Sequence, residues 1–198
     1  MVGCDFLVNL EQKKSARMEE SILDYHQILA KVGLYLLEFK SAKVHERRAI
    51  VEGIGAVKWR PPSPNHYKIN FDGAVFSDVE VAGLGVVICD SYGRVMGSLA
   101  ERVPLLTLAA MVEALACRRA LLFAKELCIF DVVFERDAEL IIKALLGKDV
   151  HHPEYGHVIQ DSLVLATEFR FCKFDHVKRL GNLVAHFLAR CSKSSNEL

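Results

Sequence analysis

Residues 67–93 read YKINFDGAVFSDVEVAGLGVVICDSYG, and their pattern says most about the fold. Apolar residues alternate with polar ones over 67–72, and this two-residue period predicts a β-strand. Residues 82–89 and 94–103 predict two further strands, and the segment 90–93 between them, which ends in glycine, is typical of a tight turn. Three strands in such quick succession predict an antiparallel meander.

The chain that follows the meander predicts alternating helices and strands. The predicted elements are a buried helix at 105–127, a strand at 132–136, a helix at 137–146 that ends at Gly147, a helix at about 154–167, a strand at 169–178 and a helix at 182–191. This order predicts an α/β fold in which helices cover a mixed sheet. Gly83 and Gly85 fall within a predicted strand rather than at a strand–helix turn, which excludes a phosphate-binding loop there.

A proline-rich segment separates this domain from the N-terminal part of the chain. Residues 59–64 read WRPPSP, and three prolines in four residues cannot continue a helix. We therefore predict a helical arm and linker over 1–58 and the main domain over 59–198. Apolar residues between 18 and 39 recur at steps of four and three, which predicts an amphipathic helix. Two alternatives stay open for it: a helix that packs on its own domain, or a coiled coil that forms a homodimer.

Composition and charge exclude several classes of protein. The chain is 52% hydrophobic, and its 25 basic and 25 acidic side chains give no net charge. A globally basic nucleic-acid coat and a polybasic membrane anchor are therefore excluded. The six cysteines form no CxxC motif, and no apolar run reaches the ~20 residues that a membrane span needs. These features predict a soluble intracellular protein, in the cytoplasm or the nucleus.

The charge is nevertheless distributed unevenly along the chain. Between 170 and 193 there are six Lys and Arg residues and one Asp. Four of these basic residues have two possible roles, which both stay open: they form a patch that contacts phosphates, or they lie on an ordinary solvated surface. The four are Lys178, Arg179, Arg190 and Lys193.

Three acidic residues stand out because of their neighbours. Asp72 is expected at the end of the first strand, Glu113 lies in an apolar helical segment, and Asp137 follows the fourth strand. Strand ends and helix N-termini face the same side of an α/β sheet, so the three acids are placed to converge there. Clustered carboxylates repel one another and need cations, and their hard oxygens suit Mg²⁺.

Each of these acids also has an ordinary structural interpretation. Asp72 is followed by glycine and suits the opening of a turn, and Asp137 suits a helix N-cap. A buried Glu113 is costly unless a cation meets it, and the candidate partners are Arg118, Arg119 and Arg136.

Four pieces of the chain, in this order, resemble the type 1 ribonuclease H domain, and most of all its divergent plant branch derived from retroelement reverse transcriptases. The pieces are WRPP with KINFDGA and GLGVVICDSYG, then Glu113-Ala, then Glu135-Arg-Asp137, and finally HVKR with NLVAHFLA, which ends at 189. The resemblance spans residues 59–191. It implies a five-stranded mixed sheet, with the first three strands antiparallel and helices at its sides.

For function, the resemblance implies hydrolysis of the RNA strand of RNA–DNA hybrids by metal-activated water. It implies Asp72, Glu113 and Asp137 as ligands of two Mg²⁺ ions, which Mn²⁺ can replace, and His186 as a fourth catalytic residue. The usual residue at this fourth position is Asp, and neutral imidazole is a softer ligand with one negative charge less, which predicts weakened activity. The implied nucleic-acid-binding residues are Gly73, Lys178, Arg179 and Asn182. The alternative function is a catalytically weak or inactive nucleic-acid-binding module that assembles through its helical arm.

Overall fold

The computed structural model describes residues 59–105, 108–147 and 153–194. In this part of the chain five strands form one sheet in the order β3-β2-β1-β4-β5. β1 and β2 are antiparallel, as are β2 and β3, whereas β4 pairs in parallel with both β1 and β5. The strands are β1 (Tyr67–Phe76), β2 (Val81–Cys89), β3 (Val95–Pro104), β4 (Asp131–Arg136) and β5 (Phe171–His176). The predicted five-stranded mixed sheet with three antiparallel strands first is confirmed.

Helices cover both faces of this sheet. They are α1 (Ala109–Glu126), α2 (Glu139–Leu145), α3 (Gly156–Ala166) and α4 (Leu183–Cys191), and single 3₁₀ turns occupy Arg179–Gly181 and Ser192–Ser194. α1 packs on β1 and β2 and against α3, and α4 packs on the other face of the same two strands. None of the helices in the described ranges is long and apolar enough to cross a membrane. The predicted helical arm over 1–58, including the proposed dimer helix around 18–39, lies outside the described residues.

The four helices begin one to four residues later than the apolar pattern predicts. α1 begins at Ala109 rather than at 105, and its N-cap residue Leu108 has an extended backbone. α2 begins at Glu139 rather than at Asp137, and its N-cap residue is Ala138, which has no side-chain capping hydrogen bond. The interpretation of Asp137 as an ordinary helix cap is therefore wrong, and its carboxylate has another partner.

The main hydrophobic core lies between the sheet and α1. Ile69 and Phe71 of β1 and Val132 and Phe134 of β4 are all 0% exposed, and they alternate with side chains that face α4. Burial of each such side chain contributes about 1.5–3 kcal/mol to stability. This core fixes β1, β4 and α1 against one another. Asp72 lies in β1, Glu113 lies in α1, and Asp137 directly follows β4.

The proline-rich segment joins this domain through a polar network at β1 and β4. Trp59 Nε1 donates to Asn70 Oδ1 at 3.0 Å, and Lys68 Nζ donates to the Arg60 carbonyl at 2.7 Å. Lys68 Nζ also forms a 2.6 Å ion pair with Glu135 Oε1, and both residues are buried. Trp59 and Arg60 are thus part of the folded domain, while the exact boundary at 58/59 stays a prediction.

The buried cysteines have the character of inert thiols. Cys89 and Cys117 are buried, and neither forms a disulfide with another cysteine of the described ranges. Burial raises the pKa of Cys89 to about 11, with the Asp90 carboxylate adding to the effect. Thiols with such a raised pKa are protonated at neutral pH and react poorly. Cys128, by contrast, is exposed.

The close approach of α4 to β2 requires a glycine at position 85. A Cβ atom there would lie 2.2 Å from the carbonyl oxygen of Ala185 and 2.3 Å from the amide nitrogen of Ala189. We expect Gly85→Ala to lower the free energy of unfolding by about 2–3 kcal/mol, because helix backbone must move to make room. Urea denaturation of the full chain measures this loss.

The matched control for this variant is Gly73→Ala. Its added Cβ would first meet Cγ1 of the Val112 side chain at 3.0 Å, a milder clash than the one at position 85. We expect Gly73→Ala to cost about 1 kcal/mol. Equal losses in the two variants would contradict the close packing of α4 on β2.

Candidate functional site

The three acidic residues lie around one end of the β1–β4 pair. Asp72 is in β1, Glu113 is in α1, and Asp137 directly follows β4. The expectation that Asp72 ends its strand and opens a turn is wrong, because β1 continues to Phe76. What ends near Asp72 is the parallel pairing of β1 with β4, whose last partners are Asn70 and Glu135. Asp72 therefore lies where the two strands diverge.

Arg136, the last residue of β4, holds two of these carboxylates together. Its Nη2 lies 3.0 Å from Asp72 Oδ1 and also forms an ion pair with the Glu113 carboxylate. Its Nη1 donates to the Glu113 main-chain carbonyl at 3.2 Å. Of the three partners that the sequence offers for Glu113, the structure confirms Arg136.

The Arg136 guanidinium is deeply enclosed. The residue is 0% exposed, and its guanidinium carbon lies 5.3 Å from the centroid of the Phe71 ring. Burial lowers the pKa of Arg136 from its ordinary value, while the carboxylates of Asp72 and Asp137 act in the opposite direction. Arginine stays protonated in proteins because its intrinsic pKa is above ~12. The site therefore contains a permanent positive charge between its acidic residues.

His186 of α4 reaches the same cluster from the other face of the sheet. Its Nδ1 lies 2.7 Å from Asp72 Oδ2, within hydrogen-bond distance. Both oxygens of Asp72 thus have a protein partner, Arg136 on one side and His186 on the other. Position 186 faces the acidic cluster, as the resemblance implies, and its catalytic role stays a prediction.

Two of the predicted nucleic-acid-binding residues lie within the fold. Asn182 is 1% exposed, and its Nδ2 donates to the Phe71 carbonyl at 3.0 Å and to Asp137 Oδ1 at 2.9 Å. Asn182 is therefore a positioning residue that ties Asp137 to β1. The Cβ that Gly73 lacks would meet Val112 of α1, so close packing accounts for this glycine. A contact of either residue with nucleic acid stays a prediction.

The other two predicted nucleic-acid-binding residues are on the surface. Lys178 and Arg179 are exposed, and neither forms an ion pair with any residue in the described ranges. They belong to the short connection between β5 and α4, which Asn182 anchors at β1. Arg190 is also exposed and lies one helical turn beyond His186. These three exposed basic residues thus lie close in sequence to Asn182 and His186, which contact the acidic residues.

The fourth cation of the predicted patch is engaged elsewhere. Lys193 Nζ forms a 2.6 Å ion pair with Asp78, and the pKa of Asp78 is lowered by its hydrogen bond to this lysine. Of the four cations in the predicted patch, Lys178, Arg179 and Arg190 thus form no ion pair within the described ranges.

The side chains at the cluster do not fit a pair of Mg²⁺ ions. Guanidinium and imidazole occupy both Asp72 oxygens, and Asp137 Oδ1 accepts from Asn182. Across the described ranges, no three His, Cys, Asp or Glu side chains are grouped so that they could hold a metal ion. The Arg136 charge also offsets part of the negative charge that would attract divalent cations. Mg²⁺ ligation by Asp72, Glu113 and Asp137 stays a prediction of the resemblance.

From the sequence, Arg136 is expected only as one possible partner of Glu113 and has no part in the predicted site. The alternation of side chains along a strand does indicate a buried position for Arg136. It places residue 136 on the same face of β4 as Val132 and Phe134. An arginine on the apolar face of a strand is buried only if carboxylates pair with its guanidinium group. The sequence offers Asp72 and Glu113 for this purpose.

Comparisons with known proteins agree with this fold. Residues 70–192 match the sequence model of a family described as reverse transcriptase-like. Ribonuclease H1 from the halophilic archaeon Halobacterium salinarum NRC-1 is 24% identical, with a TM-score of 0.61 over 65% of this chain and 97% of that chain. The N-terminal ribonuclease H domain of rv2228c from Mycobacterium tuberculosis is 22% identical, with a TM-score of 0.58 over 64% of this chain and 92% of that chain.

A third solved structure is that of LC11-RNase H1, isolated from compost by a metagenomic approach, in complex with an RNA/DNA hybrid. It is 25% identical, with a TM-score of 0.56 over 64% of this chain and 95% of that chain. No curated protein matches the chain.

Proposed function

Because the chain belongs to the reverse transcriptase-like family and carries a ribonuclease H-like domain, we propose that it binds RNA–DNA hybrids and hydrolyses them weakly or not at all. The observation that carries this proposal is the pairing of the acidic cluster. Arg136 engages Asp72 and Glu113, and His186 engages the remaining oxygen of Asp72. Both oxygens of Asp72 are thus already engaged by the protein's own side chains, and the Arg136 guanidinium also lies against the Glu113 carboxylate.

The support for binding comes from the surface beside the cluster. Lys178 and Arg179 are exposed without an ion-pair partner in the described ranges, so their charge is available to phosphates. The Asn182 side chain fixes the connection that carries them at the sheet. A structural relative, LC11-RNase H1, was solved with an RNA/DNA hybrid. Proteins that bind such duplexes recognise the shape of the helix and the 2′-hydroxyl groups rather than the base sequence.

Removal of the free cations tests this surface. We expect Lys178→Ala/Arg179→Ala to weaken binding of a labelled hybrid about tenfold or more, because two phosphate contacts are lost. The slope of log affinity against log salt concentration should fall by about 2, one for each contact. Fluorescence anisotropy of the full chain with the hybrid, measured over a range of salt concentrations, gives both quantities.

The matched control is Lys125→Ala/Arg170→Ala, which removes the same two types of charge. Lys125 pairs with Glu168, and Arg170 pairs with Asp131 at the opposite end of β5. We expect this control to keep the affinity and the salt slope of the unmodified protein. Equal losses in the two double variants, or no salt-dependent binding by the unmodified protein, would contradict the proposed surface.

A second candidate function is Mg²⁺-dependent hydrolysis of the RNA strand, at a reduced rate. The specific observation that favours it is the placement of Asp72, Glu113 and Asp137 around one end of the β1–β4 pair, as the resemblance implies. A cleavage assay on the same labelled hybrid separates the two candidates. Its Mn²⁺ arm is informative because Mn²⁺ accepts nitrogen ligands such as His186 more readily than Mg²⁺ does.

A further inference from the structure

A cluster of carboxylates is stable only if something compensates their mutual repulsion. Asp72 is 5% exposed, and the Glu113 side chain is 24% exposed, so water screens this pair incompletely. The two residues come from different elements, β1 and α1, which the core packs together. A cation between them is therefore a requirement of the fold itself, whatever the site does chemically.

Arg136 meets this requirement from within the chain. Its Nη2 contacts both carboxylates, and its Nη1 contacts the main chain of α1, so one guanidinium joins β4, β1 and α1. A divalent ion bound by the two carboxylates would join the same elements. We propose that Arg136 is a tethered cation that replaces a divalent metal ion between Asp72 and Glu113, so that the folded domain needs no metal and binds Mg²⁺ weakly.

Exchange of the guanidinium for a metal ion is disfavoured by its surroundings. Arg136 is 0% exposed and lies against the Phe71 ring, so its departure would leave a void beside the core. The move would also break the hydrogen bond from Arg136 Nη1 to the Glu113 carbonyl. A dissolved Mg²⁺ ion must in addition lose water molecules that it releases reluctantly.

The response of the melting temperature to Mg²⁺ tests this role without nucleic acid. The full chain and its Arg136→Ser variant are melted with and without about 10 mM Mg²⁺. We expect no shift for the unmodified protein. Arg136→Ser should melt at a lower temperature, and Mg²⁺ should raise its melting temperature by about 3–6 °C, because the freed carboxylates then hold the ion.

Arg136→Lys is the control for this measurement. Lysine keeps the positive charge, so this variant should respond to Mg²⁺ no more than the unmodified protein does. A Mg²⁺-induced rise in the melting temperature of the unmodified protein as large as that of Arg136→Ser would overturn the proposal. So would an Arg136→Ser variant that melts at the temperature of the unmodified protein.

A second variant covers the case in which Arg136→Ser does not fold. Glu113→Gln/Arg136→Ser removes one carboxylate together with the cation, so less repulsion remains. We expect this double variant to melt above Arg136→Ser, or to fold where Arg136→Ser does not; an equal or lower stability would overturn the proposal. These measurements contain no nucleic acid, so their failure and a failure of hybrid binding can be told apart.

Discussion

Asp72→Asn is expected to lower the free energy of unfolding by about 3 kcal/mol, because it leaves the buried Arg136 guanidinium with a single carboxylate. If repulsion among the acidic residues dominated, neutralising Asp72 would instead stabilise the fold. The structure favours the loss, since Asp72 Oδ1 lies 3.0 Å from Arg136 Nη2 and Oδ2 lies 2.7 Å from His186 Nδ1. Guanidinium denaturation of the full chain gives the sign and size of the change.

Asp137→Asn is the matched control for this prediction. Asp137 accepts a hydrogen bond from Asn182 and forms no direct ion pair with Arg136 in the described ranges. We expect it to cost about 1 kcal/mol, the value of a typical hydrogen bond. An Asp72→Asn variant that is more stable than the unmodified protein would mean that Arg136 does not compensate the cluster.

The second large effect is expected in catalysis. Arg136→Ser removes the internal cation, and His186→Asp adds a hard oxygen ligand next to Asp72, where the imidazole now lies. We expect the double variant to cleave the RNA strand of a hybrid in Mg²⁺ at least about 100-fold faster than the unmodified protein. A time course with labelled RNA in the hybrid, with Mg²⁺ and with EDTA, measures the ratio.

The single variants make this prediction specific. Arg136→Ser alone lacks the added carboxylate, and His186→Asp alone keeps the guanidinium, so each should gain less than the double variant. Adding Asp72→Asn to the double variant should abolish the gained activity. If the double variant folds in Mg²⁺ and still shows no gain, the cluster is not a suppressed hydrolytic site.

Much of the fold follows from local patterns in the sequence. The alternation over 67–72 and the turn at 90–93 predict the first strands, and the structure confirms the turn with a 3.0 Å hydrogen bond from the Gly93 amide to the Asp90 carbonyl. The predicted end of the helix near Gly147 is also confirmed, since this glycine follows the C-cap residue Leu146 of α2 and has a φ of 70°. Such features depend on residues that are close in sequence, so they can be predicted from the sequence alone.

The details of the site depend on pairing between distant segments. No local pattern shows that β1 continues to Phe76 while its pairing with β4 stops at Asn70. That divergence places Arg136 between Asp72 and Glu113, residues 64 and 23 positions away from it in the chain. The sequence therefore indicated which acids converge, and only the structure shows which cation meets them.

The most direct test is to measure binding and cleavage on the same sample of the unmodified full chain with a labelled RNA–DNA hybrid. The proposed function predicts binding that weakens steeply with salt, and RNA cleavage in Mg²⁺ that is at most weakly above the level in EDTA. It would be contradicted by Mg²⁺-dependent cleavage in the unmodified protein that is as fast as in the Arg136→Ser/His186→Asp double variant.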